Sequence, residues 1–278
     1  MADMWSSVQT NVSDRVESLA ISVLDHGFTV GDGVFETIQT SNGKFLSLDR
    51  HLKRLSESAQ AVGLSVPNEV AIHDALNALR ANAEFQSCNQ GRLRVTWTSG
   101  NGELGSLRGT GWSLVVIWNE AKPWSATSRL VSSSIIKFSK STLAQVKSTS
   151  YMENVVALNQ AVTAGFDEAA LFNEHGFLAE GTSSNIFLIA GDQVLTPPLT
   201  AGGLGGITRQ VLLEVCPWIL ETLITHDEML QADLLFLTSS TRNLQPVSIF
   251  ESVSFETSNT LFATLIESYS NAIAKEWS

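Results

Sequence analysis

A chain of 278 residues with 44% hydrophobic side chains can bury one large core or two smaller ones, which excludes a disordered polypeptide. With 28 acidic against 17 basic side chains, the net charge of −11 opposes binding to nucleic acid or anionic membrane, and the basic residues do not cluster. There is no membrane-length apolar run or signal-peptide pattern, so a cytoplasmic protein is expected, and Cys88 and Cys216 suggest neither a disulfide framework nor a metal site.

Taken in chain order, Val34 to Thr40 reads as a strand, Ser41-Asn42-Gly43 as a tight turn, and Lys44 to Leu46 as the return strand. Leu48, Leu52, Leu55, Ala59 and Val62 then draw the apolar stripe of a helix that Gly63 stops, with Arg54 beside the stripe. Ile72, Ala75, Leu76 and Leu79 mark a second helix. Strands follow around Leu93 to Trp97 and over Trp112 to Trp118, separated by a glycine-rich loop from Ser99 to Gly111. The polar, proline-interrupted stretch after Trp118 reads as a linker, dividing an N-terminal α/β domain (1–118) from a C-terminal α/β domain (129–278) across residues 119–128.

Beyond the linker, Ser150-Tyr151-Met152-Glu153 has the spacing of a capping box and predicts a helix carrying Val155, Val156, Leu158, Ala161 and Val162, with Gly165 as its terminator. Ala169 to Asn173 and Phe177 to Glu180 form one expected hairpin, and Asn185 to Ile189 with Val194 to Thr196 a second. The loop Ala201 to Gly206 opens a helix from Ile207 to Val215, stopped by Pro217. Its start, Gly205-Gly206-Ile207-Thr208, presents unpaired amides and a hydroxyl to an anion such as a phosphate.

Several ordered motifs carry a resemblance. Gly31-Asp32-Gly33-Val34-Phe35-Glu36-Thr37, His51-Leu52-Lys53-Arg54, Lys147-Ser-Thr-Ser-Tyr151-Met-Glu-Asn154, Glu180-Gly181-Thr-Ser-Ser184-Asn185 and Gly206-Ile-Thr208-Arg209 span nearly the whole chain. Together they resemble the fold-type IV enzymes of pyridoxal 5′-phosphate (PLP), a family that includes D-amino-acid and branched-chain aminotransferases, R-selective amine transaminases and aminodeoxychorismate lyase. The resemblance implies a two-domain α/β (α+β) fold like that of the D-amino-acid aminotransferases, and a homodimer. It also implies that Lys147 holds PLP as a Schiff base and moves a proton, and that Glu180 partners the pyridine nitrogen. Arg54, Ile207, Thr208 and Thr241 match phosphate contacts, Gly206 and Ser240 further cofactor-binding positions, Tyr151 the partner of the phenolic oxygen, and Leu204 the residue packed on the ring. Phe35, Thr37, Arg108 and Arg242 fall where substrate is met. Lys137 and Lys140 sit at the wrong distance from the motif to replace Lys147.

Two departures bear on substrate. Gly205 stands where many relatives carry proline, and Ser240-Thr241-Arg242-Asn243-Leu244-Gln245-Pro246 is unlike the corresponding segment of well-known D-amino-acid enzymes. The expected activity is transfer of an amino group from an amino acid or amine to a keto acid; the alternative is aminodeoxychorismate lyase, which releases pyruvate and 4-aminobenzoate. Gly100-Asn-Gly102-Glu-Leu-Gly105 has the spacing of a dinucleotide fingerprint, but a strand is expected after it where the fingerprint needs a helix, so it reads as a decoy.

Overall fold

A computed structural model describes the backbone of residues 6–11 and residues 21–278 in full. The mixed α/β architecture is organised as two compact units. The first comprises Met1–Pro123, Val146–Tyr151 and Glu276–Ser278, the second Trp124–Gln145 and Met152–Lys275. The chain therefore leaves and re-enters the first unit rather than crossing one linker. Backbone hydrogen bonding explains the return: Phe35 N–H donates to the Lys147 carbonyl (2.9 Å), Thr149 N–H to Gly33 (2.8 Å) and Phe45 N–H to Ser278 (2.8 Å).

The first unit is built on a five-stranded sheet of order β1-β5-β4-β2-β3. Its strands are β1 (Ser6–Asn11), β2 (Gly33–Ser41), β3 (Lys44–Phe45), β4 (Gly91–Thr98) and β5 (Trp112–Glu120). Its helices are α1 (His26–Thr29), α2 (Leu48–Ala61), α3 (Glu69–Arg80) and α4 (Ala83–Ser87). The β2–β3 turn has Asn42 at φ 48° and Gly43 at φ 75°, the double left-handed geometry that suits the twist of a two-residue hairpin. Val34, Ile38, Leu55, Leu76, Leu93, Val95 and Trp97 form its core. After Gly105 the chain runs without a helix into β5, so the glycine fingerprint has no helix N-terminus to complete it.

The second unit carries β6 (Ser128–Lys137), α5 (Met152–Thr163), β7 (Glu168–Asn173), β8 (Leu178–Gly181), β9 (Asn185–Ala190) and β10 (Gln193–Thr196). It continues through α6 (Ile207–Val215), β11 (Leu220–Glu221), α7 (His226–Leu230), β12 (Leu234–Ser239), β13 (Asn243–Phe250), β14 (Val253–Ser254) and α8 (Thr260–Ile273). The main sheet runs β11-β10-β9-β12-β13-β6-β7-β8. Both faces of its centre are buried. Phe187 and Ile189 of β9 and Phe236 of β12 pack with α6 and α8, whereas Ile186, Leu188, Leu235 and Leu237 enter a second core with Phe250.

One expected local feature is absent. The Ser150 hydroxyl donates to the Gly31 carbonyl (3.0 Å) instead of capping, and α5 begins at Met152. Among the described residues, no helix is long and apolar enough to cross a membrane, and no acidic, histidine and cysteine cluster could hold a metal ion.

Candidate active site

In the first unit the register of β2 against β4 sorts side chains onto two faces. Phe35 pairs with Thr96 and Thr37 with Arg94, while Glu36 pairs with Val95 on the core side. Lys147 is tied to this strand through the bridge between Val34 and Ser148. Its ammonium lies 4.4 Å from the Phe35 ring centroid and 5.8 Å from that of Tyr151, and the two rings meet edge to face at 5.5 Å. Arg94 stacks over Phe35 at 3.7 Å. Phe35, Tyr151 and Lys147 thus come together with a guanidinium that no sequence motif marks.

Arg94 is half-buried, donates to Thr96 Oγ1 (3.2 Å), and forms no ion pair among the described residues. Burial pushes its pKa down from the ordinary guanidinium value, with Tyr151 opposing and Arg92 adding to the effect. An alternating strand position looks solvated in sequence. Only its packing on Phe35 distinguishes it.

On the core side, Arg54 of α2 grips Glu36 with two nitrogens: Nε to Oε1 and Nη2 to Oε2, both at 2.7 Å. His51 Nδ1 adds a 2.7 Å hydrogen bond to Oε2, and since an ionised carboxylate only accepts, the imidazole is the donor. Glu36 and His51 are fully inaccessible and Arg54 nearly so. Burial alone raises the Glu36 carboxyl, but Arg54 and then His51 outweigh it and hold the group far below the usual carboxylate range. Burial lowers the His51 pKa, with Arg54 and Lys147 adding to that effect and Glu36 opposing it.

Arg108 is committed elsewhere in the first unit. Its Nε and Nη2 donate to the two Asp32 oxygens (2.7 and 2.6 Å), and Nη1 donates to the carbonyls of Val62 and Gly63 (2.9 and 2.8 Å). The guanidinium pins the 99–111 loop to the end of α2. Thr37 is half-buried.

The second unit gathers a separate set. Glu180 on β8 is buried, and its two oxygens are bound differently: the Leu204 N–H donates to Oε2 at 2.8 Å, and Lys137 Nζ lies 2.9 Å from Oε1. The glycine-rich loop is locked to β9 because Asn185 donates to the Leu204 carbonyl (2.7 Å). A side chain at Gly206 would overlap Asn185 Oδ1, which explains glycine at this helix start. Gly206 begins α6 without any side-chain cap, leaving the Ile207 and Thr208 amides directed outward from the first turn.

The Thr208 hydroxyl lies 3.4 Å from that of Tyr269, which also donates to Asn243 Oδ1 (3.3 Å), next to the Ser240-Thr241 turn between β12 and β13. Tyr269 belongs to α8, a helix not among the elements expected from the sequence. This set brings a carboxylate together with helix-terminal amides and hydroxyls, a combination that suits a pyridinium phosphate. Arg242 is used internally: it meets Glu168 at 3.1 Å and Gln245 at 3.0 Å, and stacks over Trp124 at 4.1 Å. Glu168 also accepts from Thr182 and Ser183, making a buried polar knot. Arg242 therefore holds β7 and β13 together and has little left to offer a substrate.

Residues 33–250 match the model of the amino-transferase class IV family. The chain is 30% identical over 236 residues to the D-alanine aminotransferase of Bacillus licheniformis, covering 82% of each protein. It is 29% identical over 245 residues to the aminodeoxychorismate lyase of Bacillus subtilis, covering 84% of this chain and 83% of that protein. The crystal structure of a branched-chain aminotransferase from Thermoproteus uzoniensis superposes with a TM-score of 0.81 at 25% identity, covering 94% of this chain and 92% of the other. Since the family model spans most of the sequence, the chain belongs to the class IV aminotransferases, enzymes that use PLP.

Proposed function

We propose that this enzyme transfers an amino group from an amino acid or amine to a keto acid, with Lys147 as the residue that carries the cofactor. The observation that supports it best is the Lys147 ammonium over Phe35, with the half-buried Arg94 guanidinium on the same ring. Both cations contact one aromatic ring, which supports a reading in which Lys147 acts on a substrate carbon while Arg94 holds a substrate carboxylate. When bound, PLP supplies an electron sink for the carbanion formed at the substrate α-carbon. Lys147 moves the proton, Tyr151 and Phe35 shape the approach, and Arg94 orients the acid group. Glu180 pairs with the ring nitrogen, while Arg54, Ile207, Thr208, Ser240 and Thr241 bind the phosphate.

A transferase exposed to amino donor without acceptor converts about one donor per subunit to keto acid and then stops until a keto acid is added. A lyase turns over continuously and releases pyruvate from aminodeoxychorismate. Stoichiometric keto acid from a panel of D and L donors supports transfer, whereas sustained pyruvate release without any donor conversion rejects it. The likeness to the Bacillus subtilis enzyme makes the lyase the second reading. Borohydride reduction of the loaded protein, followed by peptide mapping, should place the label on Lys147, and a label on Lys137 or Lys140 would displace the assignment.

A homodimer is part of the same reading. α5 exposes Met152, Val155, Val156 and Val162 to solvent, an apolar helix face that a second copy would cover.

A further inference from the structure

Lys137 is the last residue of β6, where it pairs in register with Asn173 of β7. Its ammonium and the Glu180 carboxylate are both largely withdrawn from water, with side-chain exposures of 20% and 8%. The backbone beyond Lys137 is held in place. Ser139 gives Glu174 two hydrogen bonds, from its amide (2.9 Å) and its hydroxyl (2.8 Å). Against it lies Gly202, at φ +104°, where a side chain would come within 2.9 Å of the Ser139 α-carbon. A lysine on so constrained a strand end reaches one carboxylate oxygen reproducibly, while the Leu204 amide takes the other.

We propose that Lys137 is a positioning residue for the ring acid: by holding Oε1 while Leu204 holds Oε2, it fixes the plane of the Glu180 carboxylate for the pyridine nitrogen of PLP. The inference rests on the reading that Glu180 partners that nitrogen. A carboxylate held at one oxygen rotates about its terminal torsion, which is broad and soft. Held at both, it presents a remaining lone pair in one direction, and a hydrogen bond to a charged partner depends on that alignment. An ion pair that merely stabilised the second unit would contribute to folding and leave the state of the ring nitrogen untouched.

The two roles separate by nitrogen NMR of the holoenzyme loaded with PLP labelled at the ring nitrogen. In the wild type the resonance should report a protonated pyridine across the neutral range. Lys137→Met should move it toward the unprotonated position, with the protonated fraction in the alkaline half of the titration falling about tenfold, the equivalent of one pH unit. Lys137→Arg should restore it. Lys137→Gln serves as the neutral variant should the methionine protein fail to fold, and borohydride labelling of Lys147 verifies that each variant carries the cofactor. A resonance unchanged in the neutral variants but displaced in Glu180→Gln would overturn the role of Lys137 alone. A resonance unmoved even in Glu180→Gln would instead remove the ring-acid reading on which it stands.

Discussion

Glu36, His51 and Arg54 show how one residue's surroundings set its chemistry. A buried carboxylate gripped by a guanidinium and an imidazole is far more stable paired than broken, and removing one member of such a set costs about 3–5 kcal/mol. Glu36→Gln should therefore lower urea stability by that order, and a loss under about 1 kcal/mol would contradict the arrangement. Arg54→Ala should do the same while also weakening PLP binding, so it cannot report on the phosphate alone; Arg54→Lys, which keeps a charge beside Glu36, is the cleaner probe. The pH dependence has a definite sign. Below the ordinary histidine value of 6.5 the unfolded chain binds a proton that native His51 refuses, and below 4.5 the same holds for Glu36. Stability should thus fall on acidification, first below about pH 6.5 and again below about pH 4.5. Denaturation midpoints measured across this range decide it, and His51→Gln should flatten the upper step.

At the scale of elements, the start of α6 and the 99–111 loop make opposite predictions. Thr208→Ala removes a hydroxyl but leaves the helix-terminal amides, so PLP affinity should fall by only about 1 kcal/mol, roughly fivefold. Gly206→Ala forces Asn185 and the loop it holds to move, and equilibrium dialysis should show the larger loss there. Equal affinities for the two variants would argue against α6 as the phosphate site. The loop is held by an exposed ion pair, Arg108 with Asp32, of a kind worth no more than about 1 kcal/mol. Arg108→Ala should leave the melting temperature nearly unchanged while speeding proteolytic cleavage between residues 99 and 111. Unaltered cleavage would mean that other contacts hold the loop.

For the whole molecule, the exposed apolar face of α5 carries the expectation of self-association. Met152 is 71% and Val162 57% exposed, values that a monomer would tolerate singly but not readily on one short helix. Light scattering should report a dimer, and Val155→Asp with Met152→Lys should yield monomer without loss of secondary structure. A monomeric wild type would reject this use of the face.

The sequence by itself determined the local elements whose signals are short-range. The Asn42-Gly43 hairpin, the stripe of α2, the start of α6 at Ile207 and the absence of a helix after Gly105 all follow from turn chemistry and periodicity, which act over a few residues. The ordered motifs also singled out Lys147 and Glu180 as the expected cofactor residues. Tertiary structure alone decided the rest. β12 has no alternation because both of its faces are buried, so Leu234 to Leu237 gave no strand pattern to read. Ser150 is not the cap because α5 begins only at Met152, and its hydroxyl donates instead to the Gly31 carbonyl, far away in the chain. The same limit governs charge. Arg94, Arg108, Arg242 and Lys137 are indistinguishable as isolated cations, yet one stacks on Phe35, one latches a loop, one ties Glu168 and one meets Glu180. Which anion a cation finds depends on residues brought close by folding, and that information is not local to any segment of the chain.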